Sequence, residues 1–197
     1  MLQRFSAQEV RELVISCLAL ALMFTYAFGG GLAGFPIILF TLGLAFIGHE
    51  LAHKFTAQNY GFLARYKMDP NSLLFAFFLA VMTKMGGFPI IFAAPGAVLI
   101  HPLNKFGQTA SPGQAGRISI AGAMANLAFA ALFALVALFS SGALNGLAMV
   151  GLWVNGFLAL FNLLPFGRLD GKKVFRWNPR IWLFTLLLAL LALRLAY

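Results

Sequence analysis

The chain has 197 residues, 61% of them hydrophobic and only 10% charged, with 22 phenylalanines. That balance excludes a soluble domain and a disordered tail and marks an integral membrane protein. A formal net charge of +9 would point a soluble protein toward nucleic acid, but in a membrane protein basic residues first report orientation, and no nucleic-acid partner is expected.

A bilayer core about 30 Å thick takes about 20 apolar residues per helical span. The first apolar run is Leu13 to Phe28. It follows Arg4 and Arg11 and carries Ala27 and Gly29 as a loose small-residue cleavage pattern, yet it is long enough to span and is read as a retained helix. Cys17, the only cysteine, lies inside it, which excludes an internal disulfide and a cysteine-based metal cage. The second run, Pro36 to His53, starts at a proline suited to a helix start and ends at Lys54, which marks a membrane boundary. Ser72 to Thr83 and Phe88 to Ile100 are too short to span comfortably, and the latter contains Pro89, Pro95 and Gly96. Irregular backbone at membrane depth survives only under protein cover or beside a wet cavity. Residues 72–100 are therefore expected to form a re-entrant or β-like element, or two thin crossings. His101 to Arg117 reads as a flexible loop, with His101 at the surface. Ile118 to Phe139, Gly146 to Leu164 and Ile181 to Ala196 complete the spans. The fold class is an all-α polytopic membrane protein with about five to six transmembrane helices.

If residues 72–100 return to their starting side, every Lys and Arg from Arg4 to Arg180, Lys84 among them, falls on the amino-terminal side. Only Arg194 is left at the far end. The loops Gly29 to Gly34 and Ser140 to Asn145 carry no charge. This asymmetry puts the amino terminus in the cytoplasm.

Three polar side chains interrupt the second span in His49-Glu50-Leu51-Ala52-His53. Histidines four apart share a helix face and can bite one metal, while Glu50, about 60° around the helix from His53, is placed to meet water at that metal. The pattern alone recurs by chance. In a membrane an ionised side chain costs roughly 2.5 to 3.5 kcal/mol, and a zinc site, binding with about 10 to 16 kcal/mol in small structural examples, compensates it. A catalytic zinc takes three protein ligands. With five acidic residues in the chain, candidates for the third are few. Glu9 and Glu12 read as a solvated face near Arg4 and Arg11, and Asp69, before Pro70, reads as turn chemistry. Asp170 is left, beyond the fourth span on the same side as the histidines. Asn126 and Asn155 are both suited to interhelical hydrogen bonds, the reading favoured for Asn155, and Gly142 with Gly146 reads as a helix-packing pair.

With His49-Glu50-x-x-His53, Asn162-Leu163-Leu164-Pro165 and Leu169-Asp170-Gly171 in that order, and Gly122 and Asn126 in a G-x-x-x-N pattern between them, the chain resembles the site-2 protease family, the intramembrane zinc metalloproteases. The resemblance covers about Pro36 to Lys172. It implies a single transmembrane protease domain over residues 1–197, with a core at 36–172 and peripheral helices at 13–28 and 181–196. It further implies that His49, His53 and Asp170 bind one Zn2+, that Glu50 is the catalytic base, and that Asn162 positions substrate or stabilises the oxyanion, with Asn126 a second candidate. The substrate it implies is a transmembrane protein or peptide within the lipid bilayer, and Phe88 to Val98 could offer an edge strand for it to pair with. Ala123, Gly167 and Lys172 depart from the family pattern. A zinc transporter or a non-catalytic homologue that grips membrane helices is the alternative, although no paired halves are visible.

Overall fold

The computed structural model describes residues 5–28, 31–87, 90–102 and 109–197. Helix α1 (Ala7–Phe28) leads to α2 (Gly31–Asn59), which starts before Pro36 and continues past Lys54. Gly61, at φ +79°, makes the turn out of α2 into strand β1 (Phe62–Met68), a left-handed conformation that glycine takes without a Cβ penalty. Asp69 then caps α3 (Pro70–Met85), its carboxylate accepting from the backbone of Asn71 and Ser72, with Pro70 in the first turn. The expected turn role of Asp69 is what the cap provides. Strand β2 (Gly96–Pro102) follows, then α4 (Pro112–Leu138), opened by a capping box between Ser111 and Gln114, α5 (Gly142–Asn162), α6 (Asp170–Trp177) and α7 (Pro179–Leu195).

Among the described residues, four helices are long and apolar enough to cross a membrane: α1, α2 from Ala33, α4 and α5. The last expected span, α7, has 17 residues. Helices α2, α4 and α5 pack on one another, α1 lies against α2, and α6 and α7 close the other side against α4 and α5. Close approach has local causes. A Cβ on Gly48 would come within 2.5 Å of the Phe129 ring, and one on Gly151 within 2.6 Å of the Phe133 ring. The expected packing pair Gly142 and Gly146 behaves otherwise, since a side chain added at either position meets nothing within 4 Å. Its small-residue spacing faces outward.

The two strands pair antiparallel, with Phe62 opposite Pro102 and Met68 opposite Gly96. β1 alternates strictly, burying Phe62, Ala64 and Tyr66 and exposing Leu63, Arg65 and Lys67. Its outer edge is closed by α1: the Tyr66 N–H donates to Glu9 Oε1 at 2.9 Å and the Met68 N–H to Glu12 Oε2 at 3.0 Å. Those amides point away from β2. The ladder bonds therefore run through Leu63, Arg65 and Lys67, leaving the amides and carbonyls of Gly96, Val98 and Ile100 on the outer edge of β2.

These contacts overturn the expectation that Glu9 is solvated. Glu9 is 1% exposed and Lys54 2%, and their charges meet at 2.6 Å beside the Phe5 ring. The sheet and α1 cover both groups, which no local pattern announces. Removing one partner of such a buried pair costs about 3–5 kcal/mol, because the other charge is left alone.

The excursion through α3 leaves and rejoins the sheet at one place, where the Asp69 N–H donates to Pro95 O at 2.9 Å. Its far tip corrects the charge reading. Lys84, at the end of α3, donates to the carbonyl of Tyr26 near the end of α1 and lies over the Tyr26 ring. It therefore sits at the opposite end of α1 from Glu9. Phe88 and Pro89 of the expected edge strand, residues 103–108 of the expected loop, and residues 29–30 lie outside the described residues.

Candidate metal centre

His49 and His53 stand one turn apart on α2 at 3% and 6% exposure. The helix runs on to Asn59, so His49 lies about 15 Å from its end at 1.5 Å per residue. Asp170 arrives from the first turn of α6. A Cβ on Gly171 would overlap the Leu163 carbonyl, so glycine there lets α6 seat against the end of α5 and bring Asp170 inward. Gly167, one of the departures from the family pattern, has φ +61°, a value closed to proline. On α4, a Cβ at Gly122 would lie 2.6 Å from ring atoms of both His49 and His53. Only glycine leaves room for the two imidazoles.

The hydrogen bonds settle where the protons are. His49 Nδ1 meets Asn126 Oδ1 at 2.7 Å and His53 Nδ1 meets Ile118 O at 2.7 Å. Both partners only accept, so each Nδ1 carries the proton and each neutral ring presents a bare Nε2. The two Nε2 atoms lie 2.9 Å apart, and Asp170 Oδ2 lies 2.9 Å from that of His53 and 3.4 Å from that of His49. With both rings neutral, three lone pairs converge with no proton among them, an arrangement that repels itself unless a cation sits between. The ligand atoms of His49, His53 and Asp170 all lie within 4.8 Å of one another, so the group could hold a metal ion, and two imidazoles with a carboxylate suit zinc.

Lys173, one turn on in α6, lies 3.4 Å from Asp170 Oδ1 and leaves Oδ2 to the histidines. Glu50 is 8% exposed, and its Oε2 is buried without a hydrogen-bond partner.

These groups line a cavity of about 650 Å3. Asn162 lines it too, donating an amide proton to Leu158 O at 3.0 Å. So do Gly96, Val98 and Ile100 of the β2 outer edge. Asn126, expected at the substrate, is fully buried behind His49 and is not part of the cavity wall. Sequence reasoning saw its G-x-x-x-N spacing but not that its oxygen would be spent on a ring nitrogen.

A protein of Methanocaldococcus jannaschii named "Putative zinc metalloprotease" is 37% identical to this chain over 181 residues, covering 91% of this chain and 89% of that protein. The chain belongs to this zinc metalloprotease family. The match embraces the helices that carry His49, His53 and Asp170, and zinc is the cofactor that the kinship and the ligand group together support. No family model and no solved structure matches the chain.

Proposed function

We propose that the chain is an intramembrane zinc metalloprotease of the site-2 type, a single transmembrane domain over residues 1–197 that cuts peptide bonds within or near transmembrane segments of other proteins. The observation that carries the reading is the convergence of three bare ligand atoms beside the unpartnered Glu50 carboxylate, in a cavity entered by an apolar helix long enough to span a bilayer. His49, His53 and Asp170 hold the ion. When bound, zinc supplies Lewis acidity that polarises a scissile carbonyl and eases deprotonation of water.

The remaining work falls to the chain itself. Glu50 accepts the proton of the attacking water at its free oxygen and returns it to the leaving amine. Asn162 gives one amide proton to Leu158 O and keeps the other for the developing oxyanion. A peptide can be cut only once its helix is unwound. The outer edge of β2 offers backbone amides and carbonyls at Gly96, Val98 and Ile100 to such an extended strand. Purified protein incubated with a model transmembrane peptide is expected to cut it, to stop on chelation and to resume on added zinc. A metal carrier would bind zinc with no cleavage under any of these conditions.

The active-site end is proposed to be cytoplasmic. Lys172, Lys173 and Arg176 cluster on α6 just past α5, whereas the opposite end of α5 follows the uncharged Ser140 to Asn145 stretch. In a Cys17→Ser background, cysteine at position 143 is expected to label from outside and at 173 from inside. Labelling of both from one face would overturn the orientation.

A further inference from the structure

We propose that Asn155 is a positioning residue for the metal centre: through Asn126 it fixes His49 in the tautomer whose Nε2 is free to ligate. The inference rests on reading His49 as a zinc ligand and extends it to a third helix.

Four amide contacts make the case. On α5, Asn155 is 0% exposed, and its Nδ2 donates to Gly151 O at 2.9 Å. That bond turns its Oδ1 toward α4. There Asn126, also 0% exposed, gives its Nδ2 protons to Ala45 O at 2.9 Å and Asn155 Oδ1 at 3.3 Å. Both acceptors are oxygens, so the Asn126 amide has one satisfied orientation, with its own oxygen left for His49 Nδ1 at 2.7 Å.

The flipped amide shows what the arrangement prevents. Its oxygen would face two other oxygens, and its NH2 would face His49 Nδ1. His49 would then carry its proton on Nε2, pointing at the His53 nitrogen only 2.9 Å away. A ligand nitrogen would be blocked. Orientation of a ligating imidazole by a hydrogen bond at its other nitrogen is a general device. Here that bond is itself oriented by a residue on a different helix. Neither asparagine lines the cavity, so contact with substrate does not account for them.

The test measures zinc affinity, by competition with a chromophoric chelator, on the full chain in detergent. Asn126→Leu and Asn155→Leu are each expected to weaken zinc, the second by about tenfold, at the lower end of the roughly 10- to 100-fold range for outer partners of a ligand. Asn155→Asp, neutral in this apolar setting, can still donate to Gly151 O and accept from Asn126, and is expected to bind zinc within about threefold of the parent. In the Asn126→Leu background, Asn155→Leu is expected to add nothing, because its effect passes through the residue already removed. Asn155→Ala serves in the same cycle should leucine prevent folding. Equal zinc affinity in the parent and Asn155→Leu sinks the relay alone. A loss of the same size in both backgrounds assigns Asn155 to packing and overturns the proposal. A parent that binds no zinc sinks the ligand reading first, and the relay with it.

Discussion

Glu50→Gln is expected to retain zinc and to lose peptide cleavage by about 10²- to 10⁴-fold, the usual contribution of a positioned general base. Glutamine keeps the length and shape of the side chain but cannot take a proton from water. The three converging ligand atoms belong to His49, His53 and Asp170, so the substitution leaves that set whole. Glu50 Oε2 has no hydrogen-bond partner, so its replacement breaks no structural bond. Zinc content and turnover of a transmembrane peptide, measured on one preparation, separate the two effects. Turnover equal to the parent would remove Glu50 from the mechanism, and loss of zinc would make it a ligand.

The chemistry was more legible in the sequence than its surroundings. His49, Glu50 and His53 declare themselves because helical periodicity alone puts residues four apart on one face. Asp170 could be reached by elimination in a chain with so few acids. Asn126 was legible as a spacing and as an interhelical hydrogen bond, but not as the partner of His49, since what its amide touches depends on α2 and α5 arriving on either side. Glu9 differs from its expectation for a related reason. Charged residues near a helix start look solvated until a strand from elsewhere covers them, and here Tyr66 does so. Lys84 was grouped with the other basic residues on the condition that residues 72–100 return to their starting side, which leaves open how far the excursion reaches before it returns. The helix runs on to Tyr26 before returning. Strand β1 does carry a local signal, the alternation of Phe62, Ala64 and Tyr66 with Leu63, Arg65 and Lys67.

Asp170→Asn is expected to lose both zinc and proteolysis, with affinity falling by more than the roughly 100-fold that outer partners reach. The substitution preserves shape and removes charge. The loss follows because Asp170 is the one anion among the three converging atoms, with Oδ2 2.9 Å from His53 Nε2, and a neutral amide offers a weaker oxygen or an NH2 that cannot ligate. Lys173, 3.4 Å from the other carboxylate oxygen, would then add uncompensated positive charge beside the ion. The remaining acids give the contrast. Asp69→Asn replaces one competent helix cap with another and is expected to keep zinc. Glu12→Gln still offers Met68 N an acceptor and is expected to keep it too. Glu9→Gln disturbs a buried ion pair, so its effect should appear as lowered thermal stability, with zinc retained in the fraction that folds. Metal content after gel filtration of each variant, beside its melting temperature, decides the assignment. Full zinc in Asp170→Asn together with its loss in Asp69→Asn would move the third ligand to the far side of the cavity and overturn the proposed centre.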